Sequence, residues 1–220
     1  MISDEPLRQP RWTTAIFDLD GTLVNTVELI VESFRHAERE VRAGDVDPDI
    51  ARSWMGRSLV DIYGDAPDAG TMIEAYLRFN HANLEVLQTS YEGVVDLLQD
   101  LSRAGVKVGV ATSKGRESAR RSVASAGLDD LVELTTTADE TVLHKPHPDP
   151  ILHAQRMLDA GDEQCVYIGD AIWDIRAGRA AGIDQIGVTW GAGDTADLEA
   201  ETPSAGVAHS VDELRDLLLA

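Results

Sequence analysis

The run Thr14-Ala15-Ile16-Phe17-Asp18-Leu19-Asp20-Gly21-Thr22-Leu23 limits what this chain can fold into more than any other stretch. Its apolar opening, Ala15 to Phe17, reads as a buried strand. Side chains alternate along a strand, so Asp18 and Asp20 leave on the same side. Gly21 and Thr22 then break the strand. Carboxylates at the end of an apolar strand are unfavourable unless a cation or a substrate meets them. The pair suits one aspartate that attacks and one that moves a proton. The plainer alternative is a strand entering an Asp-Gly turn.

Beyond this run the hydrophobic period changes. Val27, Ile30, Val31, Phe34 and residues 37–41 recur at helical spacing, in a helix that begins near Val24 and closes near Gly44. Asp45 to Pro48 is a turn. Ile50, Trp54 and Leu59 to Tyr63 suggest two short helices around Met55-Gly56-Arg57-Ser58, and Thr71 to Leu87 is a long amphipathic helix. Val24 to Ser90 is therefore expected to be all helical, with no strand to add to a sheet.

From Tyr91 helix and strand alternate. Helices are expected over 94–104, 116–126, 150–158 and 172–181, with a last one behind the capping box Ser210-Val211-Asp212-Glu213. Strands are expected over 106–111, 131–134, 165–168 and 185–189, with a short one at Val207. Gly191 to Gly206 reads as a surface loop and Met1 to Arg11 as a frayed leader. This order predicts an α/β fold, a Rossmann-like doubly wound parallel sheet covered on both faces. Residues 1–23 and 91–220 form its discontinuous core, and 24–90 an inserted helical cap with hinges near 22–26 and 88–92.

Charge narrows the function. Asp and Glu number 39 against 19 Lys and Arg, a net charge of −20, which repels nucleic-acid phosphates. An enzyme for phosphate esters would then need local cations. No apolar run reaches membrane-spanning length, and the N-terminus lacks a signal-peptide hydrophobic region. The single cysteine, Cys165, sits between apolar neighbours and reads as a buried structural thiol in a reducing compartment. A cytoplasmic protein is expected.

In an open α/β sheet, ligands sit beyond the carboxyl ends of the strands. Asp18 and Asp20 follow the first strand. Thr112, Ser113, Lys114 and Gly115 follow the strand at 106–111, a hydroxyl, backbone amides and a cation that suit a phosphoryl group. Lys145 lies in the proline-stiffened run His144-Lys145-Pro146-His147-Pro148-Asp149-Pro150. Gly169-Asp170 follows the strand at 165–168, with Asp174 on the same face of the next helix. Singly, these read as helix caps or a surface lysine. Together they supply an acid pair, a hydroxyl, a lysine and a second acid pair at four strand ends.

That order resembles the four motifs of the haloacid dehalogenase superfamily, in its phosphatase form with a second aspartate two residues after the nucleophile. Lys145-Pro146 with Pro148 and Pro150, Ala181-Gly182 and Val188-Thr189-Trp190-Gly191 resemble phosphoglycolate-phosphatase-like members, and the helical insertion resembles the family's smaller cap. Asn25, where many relatives carry Asp, and Ala171, where Ser or Thr is common, depart from the pattern.

The resemblance implies that Asp18 attacks phosphorus, that Asp20 protonates the leaving oxygen and then activates water, and that Asp18, the Asp20 carbonyl, Asp170 and Asp174 hold Mg²⁺. It implies phosphate binding by Thr112, Ser113 and Lys145, with Lys145 also keeping Asp18 ionised. Lys114 is either a substrate contact or a helix-start surface charge. Arg57 is either a cap contact to substrate or a solvated arginine. His144 and His147 flank Lys145. Trp54 is expected in the cap core. Met55, Trp54 and Tyr63 face either that core or a partner, so a monomer and a homodimer both stay open. The expected substrate is a small phosphorylated metabolite, phosphoglycolate-like. The alternatives are a pyrophosphatase or nucleotidase, a phosphomutase and a non-catalytic binding member.

Overall fold

The computed structural model describes residues 9–161 and 164–219. At its centre is a six-stranded sheet in the order β5-β4-β1-β6-β7-β8, parallel throughout. The strands are β1 (Thr14–Phe17), β4 (Lys107–Ala111), β5 (Glu133–Thr136), β6 (Cys165–Gly169), β7 (Asp184–Val188) and β8 (Val207–Ala208). β1 lies between β4 and β6, and every residue in it is buried. Its continuous apolar run is what a strand covered on both faces requires.

Alternation sorts each strand between two cores. Ala15, Phe17, Val166 and Ile168 join the cluster built with α5 (Val94–Arg103), α6 (Arg116–Ser125) and α10 (Val211–Leu218). Ile16, Cys165 and Tyr167 join the opposite cluster with α7 (Asp149–Met157) and α8 (Ile172–Ala180). Asp18 continues the parity of Ile16, which aims it toward the face that carries Tyr167.

The insertion is helical but is not strand-free. β2 (Val24–Asn25) and β3 (Thr89–Ser90) pair antiparallel where the chain leaves and re-enters the sheet region. Two residues on each side give no periodic signal, so the expectation of an insertion without strands is corrected. Between them run α1 (Val27–Arg42), α2 (Pro48–Ser53), α3 (Leu59–Tyr63) and α4 (Ala69–Leu87). Phe34, Met55, Tyr63, Met72 and Tyr76 form their shared core, so Met55 and Tyr63 face inward rather than toward a partner. Trp54 packs edge-on against Phe34, with ring centroids 5.1 Å apart.

Three further expectations change. The 191–206 stretch contains a helix, α9 (Thr195–Ala200), capped by the Asp194 carboxylate. It buries only Leu198, too little for a visible period. β5 lies two residues later than the apolar pattern implied, because Thr135 is buried with its hydroxyl donating to Val110 O at 2.7 Å. Of the expected leader, residues 1–8 lie outside the described residues. Arg11 N donates to Leu218 O at 3.0 Å, so the leader's last residue is docked rather than frayed, next to the buried Trp12. No helix among the described residues is long and apolar enough to cross a membrane.

Candidate active site

The ends of β1 and β6 and the start of α8 meet the proline-rich segment at one point. Asp18, Asp170 and Asp174 are each buried and offer carboxylate oxygens that all lie within 4.8 Å of one another. Lys145 enters from the proline-rich run, its side chain wholly buried. Its Nζ stands 2.9 Å from Asp18 Oδ1 and 2.7 Å from Asp174 Oδ1. The contact to Asp18 is an ion pair without hydrogen-bond alignment, which leaves Asp18 Oδ1 with no donor among the described residues.

The surroundings fix three of these groups and leave Asp18 less constrained. Tyr167 donates its hydroxyl to Ala111 O at 3.0 Å and receives Lys145 Nζ at 3.0 Å, beside Asp174 Oδ1 at 3.1 Å. Asp174 Oδ2 accepts from Ala171 N at 3.0 Å. Asp170 accepts from the Thr22 hydroxyl at 3.0 Å and from Ala192 N at 2.8 Å. Glycines make this fit possible. A Cβ on Gly191 would lie 2.2 Å from Asp170 Oδ2, and one on Gly169 would lie 2.3 Å from the Asp174 carboxyl carbon.

Three buried carboxylates face one ammonium. Burial pushes Asp18 well above the usual carboxylate range; Lys145 opposes this, and Asp174 and Asp170 add to it. Asp170 is pushed up to about 7 by burial, with Asp174 next in effect. Lys145 remains firmly protonated, because Asp174 and Asp18 outweigh the opposing effect of burial. Lys145 thus acts on Asp18 in the expected direction, against the larger effect of burial. Excess negative charge, hard oxygen donors and an oxygen without a donor suit a divalent cation, so the donor set fits Mg²⁺.

Asp20 lies outside this carboxylate group. Its Oδ1 accepts from Lys114 Nζ at 2.7 Å and from the Thr26 hydroxyl at 2.7 Å. Lys114 also reaches Ser122 Oγ at 3.0 Å, and its side chain is only 8% exposed, so the surface-charge reading is overturned. Thr112 is buried; its Oγ accepts from Lys114 N at 3.2 Å, and α6 is capped by Gly115, so Thr112 is not a helix cap. Ser113 turns its hydroxyl to Gly56 O of the insertion at 2.7 Å.

Asp18, Asp20, Thr112, Ser113 and Lys114 border a cleft of about 200 Å³ between sheet and insertion, with Arg57 on the opposite wall. Arg57 donates to Asp61 O at 2.8 Å. His144 Nδ1 lies 2.9 Å from Asp61 Oδ2 and 3.0 Å from Ser58 Oγ, while its Nε2 faces Ala138 O at 3.2 Å. His144 thereby joins the Lys145 segment to the insertion. Sequence reasoning did not single out Tyr167, Thr22, Thr26, Ala192 or Gly191 as parts of the site. The only signal for them was position, at a strand end or beside an acid.

Known proteins resemble this chain in sequence and in fold. The haloacid dehalogenase-like hydrolase family profile matches residues 15–188. Pyrophosphatase PpaX of Bacillus mycoides (strain KBAB4) is 35% identical over 207 residues, 93% of this chain and 94% of that protein. Pyrophosphatase PpaX of Bacillus cereus (strain B4264) is 35% identical over 210 residues, 94% of this chain and 95% of its own length. A hydrolase from Pseudomonas syringae superposes with a TM-score of 0.83 at 26% identity, covering 93% of this chain and 96% of that one. A haloacid dehalogenase-like family hydrolase from Streptococcus pneumoniae gives 0.81 at 25%, covering 94% and 97%. With the profile spanning most of the chain, the protein belongs to the haloacid dehalogenase-like hydrolase family.

Proposed function

We propose that this chain is a Mg²⁺-dependent phosphatase that hydrolyses a small phosphomonoester through an aspartyl-phosphate on Asp18. The observation that carries the reading is Asp18 at the end of β1, buried beside Lys145, Asp170 and Asp174 and open to the cleft. An Asp18 oxygen attacks phosphorus as the bond to the leaving oxygen breaks, and Asp20 gives that oxygen its proton. Water then attacks the same phosphorus, Asp20 takes the water's proton, and the Asp18–phosphorus bond breaks. Thr112, the Ser113 amide and Lys145 bind the phosphoryl oxygens as charge moves onto them. Asp18, Asp170, Asp174 and the main-chain carbonyl of Asp20 would hold the Mg²⁺, which supplies charge neutralisation at the phosphoryl group. Helices α1 to α4 serve as the cap, with Arg57 at its substrate-facing edge. Inorganic pyrophosphate is the second reading, favoured by the names of the relatives at 35% identity. A cleft of about 200 Å³ disfavours nucleotides, since pockets for larger ligands start near roughly 300 Å³. A cytoplasmic location is consistent with a single cysteine, Cys165, that is buried.

The test is phosphate release from pyrophosphate, phosphoglycolate, sugar phosphates and nucleotides, with Mg²⁺, with chelator and in Asp18→Asn. Metal-dependent turnover lost in the variant, with hydroxylamine-sensitive phosphate trapped on the wild type, is the expected result. Undiminished turnover by Asp18→Asn would refute the mechanism.

A further inference from the structure

Helix α4 sets two polar groups into the apolar wall of the cleft. Tyr76 and Asn80 stand at i and i+4, hence on one face. Both line the cleft, among Ile30, Phe34, Ile73 and Leu77. Asn80 is 1% exposed, and a neighbour fixes which way its amide points. Ser33 donates its single hydroxyl hydrogen to Leu29 O at 2.6 Å, so Ser33 Oγ is left only as an acceptor. Asn80 must then present Nδ2 to it, at 3.2 Å. Oδ1 is the free end, buried and without a partner among the described residues. An unpaired buried carbonyl is destabilising, a standing disadvantage unless a ligand fills the position.

Tyr76 supplies the complementary group. Its ring packs on Phe34 with centroids 4.8 Å apart. Its hydroxyl makes no hydrogen bond with any described residue. Burial, with Asp20 next in effect, pushes the phenol well above its ordinary value, so it keeps its hydrogen as a donor.

We infer that Tyr76 and Asn80 select a leaving group bearing a hydroxyl, Asn80 Oδ1 accepting the hydroxyl hydrogen and Tyr76 donating to an oxygen of the same group. The inference rests on the phosphatase reading above and extends it to substrate class. Two sources supply that chemistry, a carbon-bound hydroxyl of a polyol phosphate and the P–OH of monoprotonated pyrophosphate. An ionised carboxylate, as on phosphoglycolate, offers acceptors alone and meets Asn80 Oδ1 with repulsion.

The experiment compares kcat/KM for glycerol 1-phosphate, pyrophosphate, phosphoglycolate and propyl phosphate in wild type, Tyr76→Phe and Asn80→Leu. A site built around a hydroxyl rejects the analogue lacking it, so the wild type should favour one hydroxyl-bearing substrate over propyl phosphate by about tenfold or more. Each variant should erase most of that ratio, with the loss in the phosphorylation half-reaction, because the leaving group has gone before the phosphoenzyme is hydrolysed. A ratio lost for glycerol 1-phosphate identifies a carbon hydroxyl, and one lost for pyrophosphate identifies a P–OH. Both outcomes support the inference. Equal losses on all four substrates, propyl phosphate included, overturn it, as does a wild-type preference for phosphoglycolate. Should Asn80→Leu fail to fold, Tyr76→Phe, which removes no hydrogen bond of the hydroxyl to a described residue, carries the test alone. Absence of phosphate on Asp18 with every substrate is a different failure, that of the phosphatase reading itself.

Discussion

Asp170 offers a stability measurement whose sign follows from its surroundings. Its carboxyl titrates at 3.8 when unperturbed and is pushed up to about 7 in the folded chain, chiefly by burial and by Asp174. A folded-state value above the unfolded one means that folding takes up a proton between the two. The stabilisation is complete below about 4, falls as the pH rises through the interval and is gone above about 7. At 1.36 kcal/mol per pH unit, the whole interval corresponds to roughly 4 kcal/mol, and pH 5.5 to 8 to roughly 2 kcal/mol. Asp18 is also pushed up by burial, so the wild type alone does not isolate Asp170. The measurement is therefore the difference between wild type and Asp170→Asn, by urea unfolding in chelator at pH 5.5 and 8. The variant should gain roughly 2 kcal/mol on the wild type as the pH rises. Saturating Mg²⁺ should remove the wild type's disadvantage at pH 8, because bound metal stabilises the folded state by mass action. A difference that stays flat with pH in chelator would refute the argument that buried like charges dominate this site.

Other perturbations probe neighbouring parts. Gly191→Ala places a Cβ 2.2 Å from Asp170 Oδ2; Mg²⁺ affinity by calorimetry should fall about 10–100-fold, as for loss of a group that orients a ligand. Lys145→Met leaves Asp18 and Asp174 without their cation; in chelator at pH 8 it should lose about 3–5 kcal/mol of unfolding free energy, and less at pH 5, where the carboxyls bind protons. Ser113→Ala removes the bond to Gly56 O, and His144→Ala removes the contacts to Asp61 and Ser58. Each should raise KM more than it lowers kcat, and the double variant should show less than additive loss if the two contacts secure one closed arrangement.

What the sequence shows here and what it hides have separate physical causes. Strands buried on both faces are written as apolar runs, so β1, β4, β6 and β7 are legible, and with them the strand ends that present Asp18, Thr112 and Asp170. Lys145 is legible because three prolines mark its segment. Contacts that depend on tertiary approach leave no local trace. Tyr167 reads as one more apolar strand residue, yet its hydroxyl reaches Lys145 and Ala111 O from within the sheet. Gly191 and Ala192 read as loop, although the chain there must pass close enough to Asp170 for Ala192 N to donate to it. Lys114 gave two readings from sequence. The fold turns it inward because Asp20 and Ser122 offer acceptors beneath it. The β2–β3 ribbon is invisible because two-residue strands have no period.

That ribbon gives the position of Asp20 a further consequence. Asn25 pairs with Thr89, and Thr26 is the next residue, the one that precedes α1. The Thr26 hydroxyl holds Asp20 Oδ1 from the insertion side, and Lys114 holds the same oxygen from the sheet side. Asp20 Oδ2 accepts from no described residue, which on the phosphatase reading leaves it available to carry a proton. Rotation of α1 to α4 about the ribbon would move Thr26 while Lys114 stays with the sheet. On the phosphatase reading, the acid is oriented by one donor from each part of the molecule, and loss of the insertion's donor would leave Lys114 alone to hold it. A proton carrier free to swing would be mispositioned for part of each cycle, and misplacement by about 1 Å can reduce a rate by about 100-fold.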